Sequence, residues 1–275
     1  EMADLVARIV GVEREFTKDF GDPYFLVTVV PTGPRAEAKS VSMGGTGLTD
    51  CFALFMAPGS AVAEGTPHQQ RVLHLLAHEY FHTWNGGEIR MMEPPPEQLV
   101  YWFSEGFTDF YASRLLLRAG LIDDAAWMAR LNESLQALCL SPVATAPATQ
   151  IEREFWTNAA VRDLPYKRGE AVAVCMDEEI RRVSGGKKCL DDFFLEVLRD
   201  ARAGEKVDTD RLLTRLERWT SAEFAAGVRT VVVEGALPRM PERLSVPRAE
   251  RVEKSSYRWD IGFDVDGSVK AKVVS

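Results

Sequence analysis

The stretch LLAHEYFHTWN, residues 75–85, sets His78 and His82 four residues apart with Glu79 directly after the first. On a helix, residues i and i+4 share a face with their Cβ atoms about 5–6 Å apart. Two imidazoles so placed can present nitrogens to one ion, at about 2.0–2.1 Å each for zinc. Glu79 falls beside the pair, where a carboxylate can reach a water at the ion without becoming a ligand. His-Glu-x-x-His on a helix is a two-ligand jaw with a base beside it; the plainer alternative is a packed helix whose histidines are hydrogen-bonded. His74 and His78 are also four apart, but Leu75 follows His74 and offers no base. His74 is therefore expected in the core or behind a ligand, and His68 at the surface.

A hydrolytic zinc takes three protein ligands and keeps one position for water. Downstream, LVYWFSEGFTDFYA (99–112) is apolar nearly all round and holds Glu105 in its middle. A lone carboxylate in such a helix is costly to bury, so it needs a cation: the ion at His78 and His82, or an arginine such as Arg114. Asp109, four residues on, shares the face of Glu105 and is placed to accept a hydrogen bond from a ligand histidine.

These residues need elements to hold them. Thr66 as N-cap, Pro67 at the first position and Gly86 as a stop predict a helix under the histidines. PPPEQLVYWFSEGFTDFYASRLLLRAG predicts a second, opened by prolines and closed at Gly120. Residues 3–17 have helical spacing, and further helices are predicted at 123–139, 166–184, 190–203, 208–219 and 221–234. YFLVTVV (24–30), SVSMGG and CFALFMAP read as strands, the last two around a glycine loop. From Ala236 the pattern becomes a charged connector. Strands first and helices after predict an α+β catalytic domain. Residues 1–120 form a strand-rich part plus the helices of the site, 121–238 a helical lobe of the same domain, and 239–275 a connector with further strands.

Composition narrows the function. The chain has 275 residues, 46% hydrophobic, enough for a large core. Its net charge is −8, with no basic stripe, which argues against a nucleic-acid partner. No apolar run is long enough to predict a membrane span. The first residues lack the basic start of a signal peptide, and the abrupt ends read as those of an excised piece. Four scattered cysteines without a CxxC pair favour structural thiols and a cytoplasmic setting. The sequence leaves the oligomeric state open.

AHEYFHTWN followed by WFSEGFTDFYASRLLLRAGL resembles the glycyl aminopeptidase family of zinc metallopeptidases. These are gluzincins, relatives of aminopeptidase N, leukotriene hydrolase and thermolysin, and the resemblance runs from about residue 4 to 238. It implies a thermolysin-like zincin domain, one Zn2+ held by His78, His82 and Glu105, Glu79 as base, and a peptide substrate. The 22 residues between His82 and Glu105 include GGEIRMMEPPP where the family has a longer, more basic stretch. LPYKRGEAVAVCMDEEIRR (164–182) resembles the segment carrying the family's oxyanion-stabilising tyrosine, which makes Tyr166 that residue, with Lys167, Arg168 and Gly169 after it. From the residues alone, Tyr166 is an aromatic at a helix start. Ahead of the zinc helix the family carries a glycine-rich edge strand whose Glu binds the substrate amine. Here MGGTGLTDCFALF supplies Gly44 and Gly45 for substrate binding, but Gly47 stands where the Glu belongs. Asp50 either compensates or is a turn residue. The tail DIGFDVDGSVKAKVVS is similar to the opening strands of a PDZ-like domain. The expected activity is peptide hydrolysis, aminopeptidase-like by resemblance. The alternatives are an endopeptidase or blocked-peptide hydrolase, a small-molecule hydrolase, and a silent zinc-stabilised peptide-binding scaffold.

Overall fold

The structure, a computed structural model, describes residues 2–21, 26–31, 43–48, 51–56, 67–92 and 96–252, with the backbone alone for 43–48, 56 and 67–68. Thr66, Asp50, the side chain of His68 and the tail beyond 252 lie outside the described residues. The chain pairs a small strand part with a mainly helical lobe.

The strand part is a single sheet. β1 (Leu26–Pro31), β2 (Met43–Leu48) and β3 (Cys51–Met56) lie in the order β1-β3-β2. β3 runs parallel to β1 (Leu26 opposite Cys51) and antiparallel to β2 (Met43 opposite Met56). Alternation puts Phe52 and Leu54 of β3 into the core. Gly44 and Gly45, read in a strand, and Gly47, read in the glycine loop after it, all lie inside β2 and pair with Phe55, Leu54 and Phe52. A glycine keeps its backbone N–H and C=O, so it can complete a ladder even where its missing side chain reads as a turn.

Around the sheet the first 120 residues are helical where helices were expected. α1 (Met2–Thr17) lies before the sheet, and α2 (Pro67–Phe81) follows it and packs on it. α3 (Tyr101–Ser104) and α4 (Gly106–Arg118) are one rod with a local irregularity at Glu105. Its backbone bonds continue across the break: Glu105 N–H donates to the carbonyl of Tyr101 at 2.9 Å, and Asp109 N–H to that of Glu105 at 2.9 Å.

The lobe contains α5 (Asp124–Leu140), α6 (Ala148–Glu154), α7 (Ala159–Val183), α8 (Leu190–Arg202), α9 (Thr209–Trp219) and α10 (Ala222–Val232). Asp123, Asn158, Asp208 and Ser221 cap α5, α7, α9 and α10 with side-chain oxygens. α7 begins at Ala159, seven residues before the start read in the sequence. Pro165 sits inside it, buried, and removes only one backbone donor. Tyr166 is therefore mid-helix, in its third turn, and not at a helix start. In the connector, Arg243–Ser245 (β4) and Arg248–Glu250 (β5) form a small hairpin.

α4 and α7 cross in backbone contact. A Cβ on Gly169 would lie 1.9 Å from the carbonyl oxygen of Trp102, and one on Gly106 would lie 2.3 Å from Gly169 Cα. Both positions need glycine because two helix backbones meet there, and that contact sets Tyr166 of α7 over Glu105.

Candidate metal centre

α2 delivers the two histidines on one face, as their spacing requires. The chain then leaves α2 through one wide turn, Thr83–Glu88, in which Gly86 takes a φ of 124° that disfavours other residues. This turn buries Asn85 completely. Asn85 Nδ2 donates to the carbonyls of Phe103 and Ser104 (3.0 and 3.1 Å) and to Thr108 Oγ1 (3.1 Å). Those carbonyls flank the irregularity at Glu105. The main-chain oxygen of Asn85 also accepts from His82 Nδ1 at 2.9 Å. One asparagine thus ties the second histidine to the backbone that carries the carboxylate. The sequence reading missed it; an asparagine before Gly-Gly just past a His-Glu-x-x-His helix was the available signal.

The candidate ligand atoms converge. His78 Nε2 and His82 Nε2 are 3.0 Å apart, and Glu105 Oε2 lies 3.4 Å from the first and 3.3 Å from the second. His78, His82 and Glu105 form the group, among the described residues, whose donor atoms all lie within 4.8 Å of one another. The tautomers follow from the partners. His78 Nδ1 faces Asp109 Oδ1 at 3.0 Å and His82 Nδ1 faces a carbonyl, both acceptors, so both Nδ1 atoms donate. In the neutral rings both Nε2 lone pairs then point at each other and at a carboxylate oxygen. Three electron-rich atoms in that arrangement repel unless a cation sits among them. The donor set, two imidazoles and a carboxylate, suits zinc, so the residues fit the ion.

Without an ion, a proton takes part of its place. Burial pulls His78 down, but hydrogen bonds to Asp109 and Glu105 and their charges outweigh it and push His78 up to about 10. Burial raises Glu105, and the two histidines overcome this and bring it down to about 2. Asp109, against its burial, is held far below the usual carboxylate range by His78, His74 and Arg130.

Asp109 is a hub. Besides His78 it has Arg130 Nη2 at 3.3 Å and Lys167 Nζ at 3.9 Å, while its carbonyl accepts from His74 Nε2 at 3.3 Å. His74 therefore stands behind the ligands, and burial together with Arg130 keeps it neutral. Arg114 goes elsewhere: it pairs with Asp177 at 3.1 Å and bonds the carbonyl of Val246, so it is not the partner of Glu105. Glu79 is half-buried, one residue past His78. The Tyr166 ring lies 6.1 Å from that of His78 and within 19° of parallel. Burial, then the negative charges of Glu105 and Asp109, hold its phenol well above the ordinary range. Arg168, which follows in the motif, turns away and donates to the carbonyls of Ala144 and Ala146 at 2.8 and 2.9 Å.

Residues 71–161 match the model of the M61 glycyl aminopeptidase family. No curated protein matches the chain. Solved structures share its fold. An aminopeptidase N family protein from Idiomarina loihiensis aligns with TM-score 0.71 at 19% identity, over 86% of this chain and 43% of that one. The M1 zinc metallopeptidase of Deinococcus radiodurans aligns with TM-score 0.56 at 20% identity, over 86% of this chain and 46% of that one. A mutant of it bound to a Tyr-Ser-Ala substrate gives 0.54 at 22%, over 86% and 45%. The chain spans less than half the length of these structures. The matched segment contains His78, Glu79, His82, Glu105 and Asp109, and with the shared fold it bears out the resemblance carried by the motifs, to the glycyl aminopeptidase family of gluzincin aminopeptidases.

Proposed function

We propose that the chain is the catalytic part of a zinc-dependent peptidase with a thermolysin-like site. The observation that carries this reading is the convergence of His78, His82 and Glu105 with a carboxylate and a phenol alongside. An ion held there supplies Lewis acidity, which brings the pKa of a water from 15.7 toward about 7 and polarises a peptide carbonyl.

The chain's own groups do the rest. Glu79 accepts the proton of the attacking water and passes it to the leaving nitrogen. Tyr166, kept protonated by its surroundings, donates its O–H to the oxyanion as charge develops there. Asp109 fixes the tautomer and orientation of His78, and the Asn85 carbonyl does so for His82. β2 is an edge strand among the described residues, so Gly44 and Gly45 leave backbone groups at which an extended peptide can pair. A scaffold role is disfavoured by Glu79 and Tyr166, since a structural zinc site closes its fourth position and needs neither.

The match to the glycyl aminopeptidase model and the zinc metallopeptidases of the same fold support peptide hydrolysis. Gly47 favours a second reading of the specificity: it offers no carboxylate for a substrate amine, so blocked or internal peptide bonds are accepted. Residues 239–275 are then the connector to a PDZ-like part, and the thiols suit a cytoplasmic setting. The test compares variants of the zinc-loaded chain on a free-amine peptide and its acetylated counterpart. Glu79→Gln keeps zinc and loses turnover by several orders of magnitude, and Glu105→Ala loses zinc. Peptidase activity retained in Glu79→Gln overturns the reading.

A further inference from the structure

Beside the metal centre lies a cavity of about 390 Å3, bounded by α2, α4, α5 and the third turn of α7. Its walls are largely apolar, with Leu116, Ile122, Ala126 and Ala129 among them. Its charged lining is mostly basic, with Glu133 as the one acid among the lining residues. Arg130 and Lys167 stand on the side of Asp109, Arg71 stands on α2, and His74, held neutral, lies between the cavity and His78.

The carboxylates around the cavity are already engaged. Asp109 is shared by His78, Arg130 and Lys167. Glu170 accepts from Ser134 and lies 3.9 Å from Arg130, and burial drives it toward its neutral form. Glu133 lies 3.8 Å from Arg71, where both are well exposed. Arg71 and Lys167 both lack a hydrogen bond among the described residues, but Arg71 is well exposed and Lys167 is not. The Lys167 ammonium is 3.9 Å from Asp109, beyond hydrogen-bonding distance. It also directly follows Tyr166. A half-buried ammonium with unused donors at an apolar cavity asks for an anion.

We propose that this cavity receives a carboxylate of the peptide substrate, on a residue adjoining the bond that is cut, with Lys167 and Arg130 as its receptors. The inference rests on the peptidase reading. Its scale fits: His74 is one turn from His78, about 6 Å along the helix, and an extended residue spans about 3.3–3.6 Å. A C-terminal carboxylate and an acidic side chain both fall at that depth.

The experiment uses four peptides with the zinc-loaded chain. Two share a sequence and end in a free carboxylate or an amide; two are amides that differ only as Glu or Gln at the residue beside the cut bond. The expected result is a preference of at least tenfold in kcat/KM, carried by KM, for the carboxylate member of one pair, and which pair shows it identifies the source. Lys167→Met is expected to bring that ratio close to one, and Lys167→Arg to retain most of it. Equal rates within both pairs in the wild type overturn the proposal and leave the peptidase reading standing. So does a Lys167→Met variant that lowers both members of a pair by the same factor. Should no peptide be cleaved, the peptidase reading fails, and calorimetric affinities of the same four peptides then decide, equal affinities overturning the carboxylate receptor.

Discussion

Gly169→Ala probes how the fold holds Tyr166 over the metal ligands. The added Cβ lies 1.9 Å from the Trp102 carbonyl oxygen and 2.8 Å from Gly106 Cα, whereas ordinary contact begins at 3.4 Å. Backbone on both sides cannot rotate away as a side chain would, so α7 must withdraw from the α3–α4 rod by about 1.5 Å, the difference between contact and 1.9 Å. Overpacking of this kind costs about 1–3 kcal/mol, occasionally more. For a chain of this size each kcal/mol lowers Tm by about 2–4 °C. The effect on chemistry is larger. Tyr166 rides on α7, while His78, His82 and Glu105 come from α2 and the rod, so the phenol moves and the ligands stay. A misplacement of about 1 Å in a positioned group costs about 10²-fold in rate. Gly169→Ala is therefore expected to keep one zinc per chain, lose several degrees of Tm and lose about 10²-fold in kcat. Thermal denaturation, metal analysis and steady-state peptide hydrolysis on one preparation check all three. Wild-type Tm and kcat in the variant would refute the argument that backbone contact positions the phenol.

Further outcomes follow from the same physics. Asn85→Ala strips the carbonyls of Phe103 and Ser104 of their donor; it should cost about 2–4 kcal/mol and about 10–100-fold in zinc affinity, read by denaturation and competition with a chelator. Because the metal-free His78 is pushed up to about 10, it carries a proton at pH 8 that zinc must displace; calorimetry in buffers of different ionisation enthalpy should show proton release, and heats independent of buffer would contradict this. The same shift stabilises the metal-free fold fully below about pH 6.5, the unperturbed value, and is lost as pH rises through about 10. Glu13 is fully buried with neither carboxylate oxygen hydrogen-bonded, and burial raises its pKa well above the ordinary carboxyl value of 4.5. Its stability contribution is greatest below that value and falls as pH rises toward the folded-state pKa, so Glu13→Met should stabilise the fold by about 1–3 kcal/mol at pH 7.5 and much less at pH 4.5, read as the rise in Tm at each pH.

The residues of the candidate metal centre were legible because helical spacing is local information. His78 and His82 share a face on any helix, and so do Glu105 and Asp109. What converges on them from afar was not legible. Arg130 of α5 and Lys167 of α7 reach Asp109 only through tertiary packing. Gly106 and Gly169 are 63 positions apart in sequence, and nothing in their spacing announces a backbone crossing. Asn85 acts on carbonyls 18 and 19 residues on. Local signals also misled: the helix read from 166 begins at Ala159 under the cap of Asn158, and Gly47 of β2 resembled a loop because strand propensity is a property of side chains. The short β4–β5 hairpin was lost in a charged connector whose three-residue strands are too brief for alternation to show.

The central claim is that two imidazoles and one carboxylate hold a single divalent ion with a position left for water. X-ray absorption spectroscopy of the zinc-loaded chain tests it most directly. One zinc per chain with two imidazoles, one carboxylate oxygen and a further light oxygen ligand, reduced to a non-binding chain by Glu105→Ala, is the predicted result. Sulfur in the coordination shell, or full zinc occupancy retained in Glu105→Ala, would contradict it.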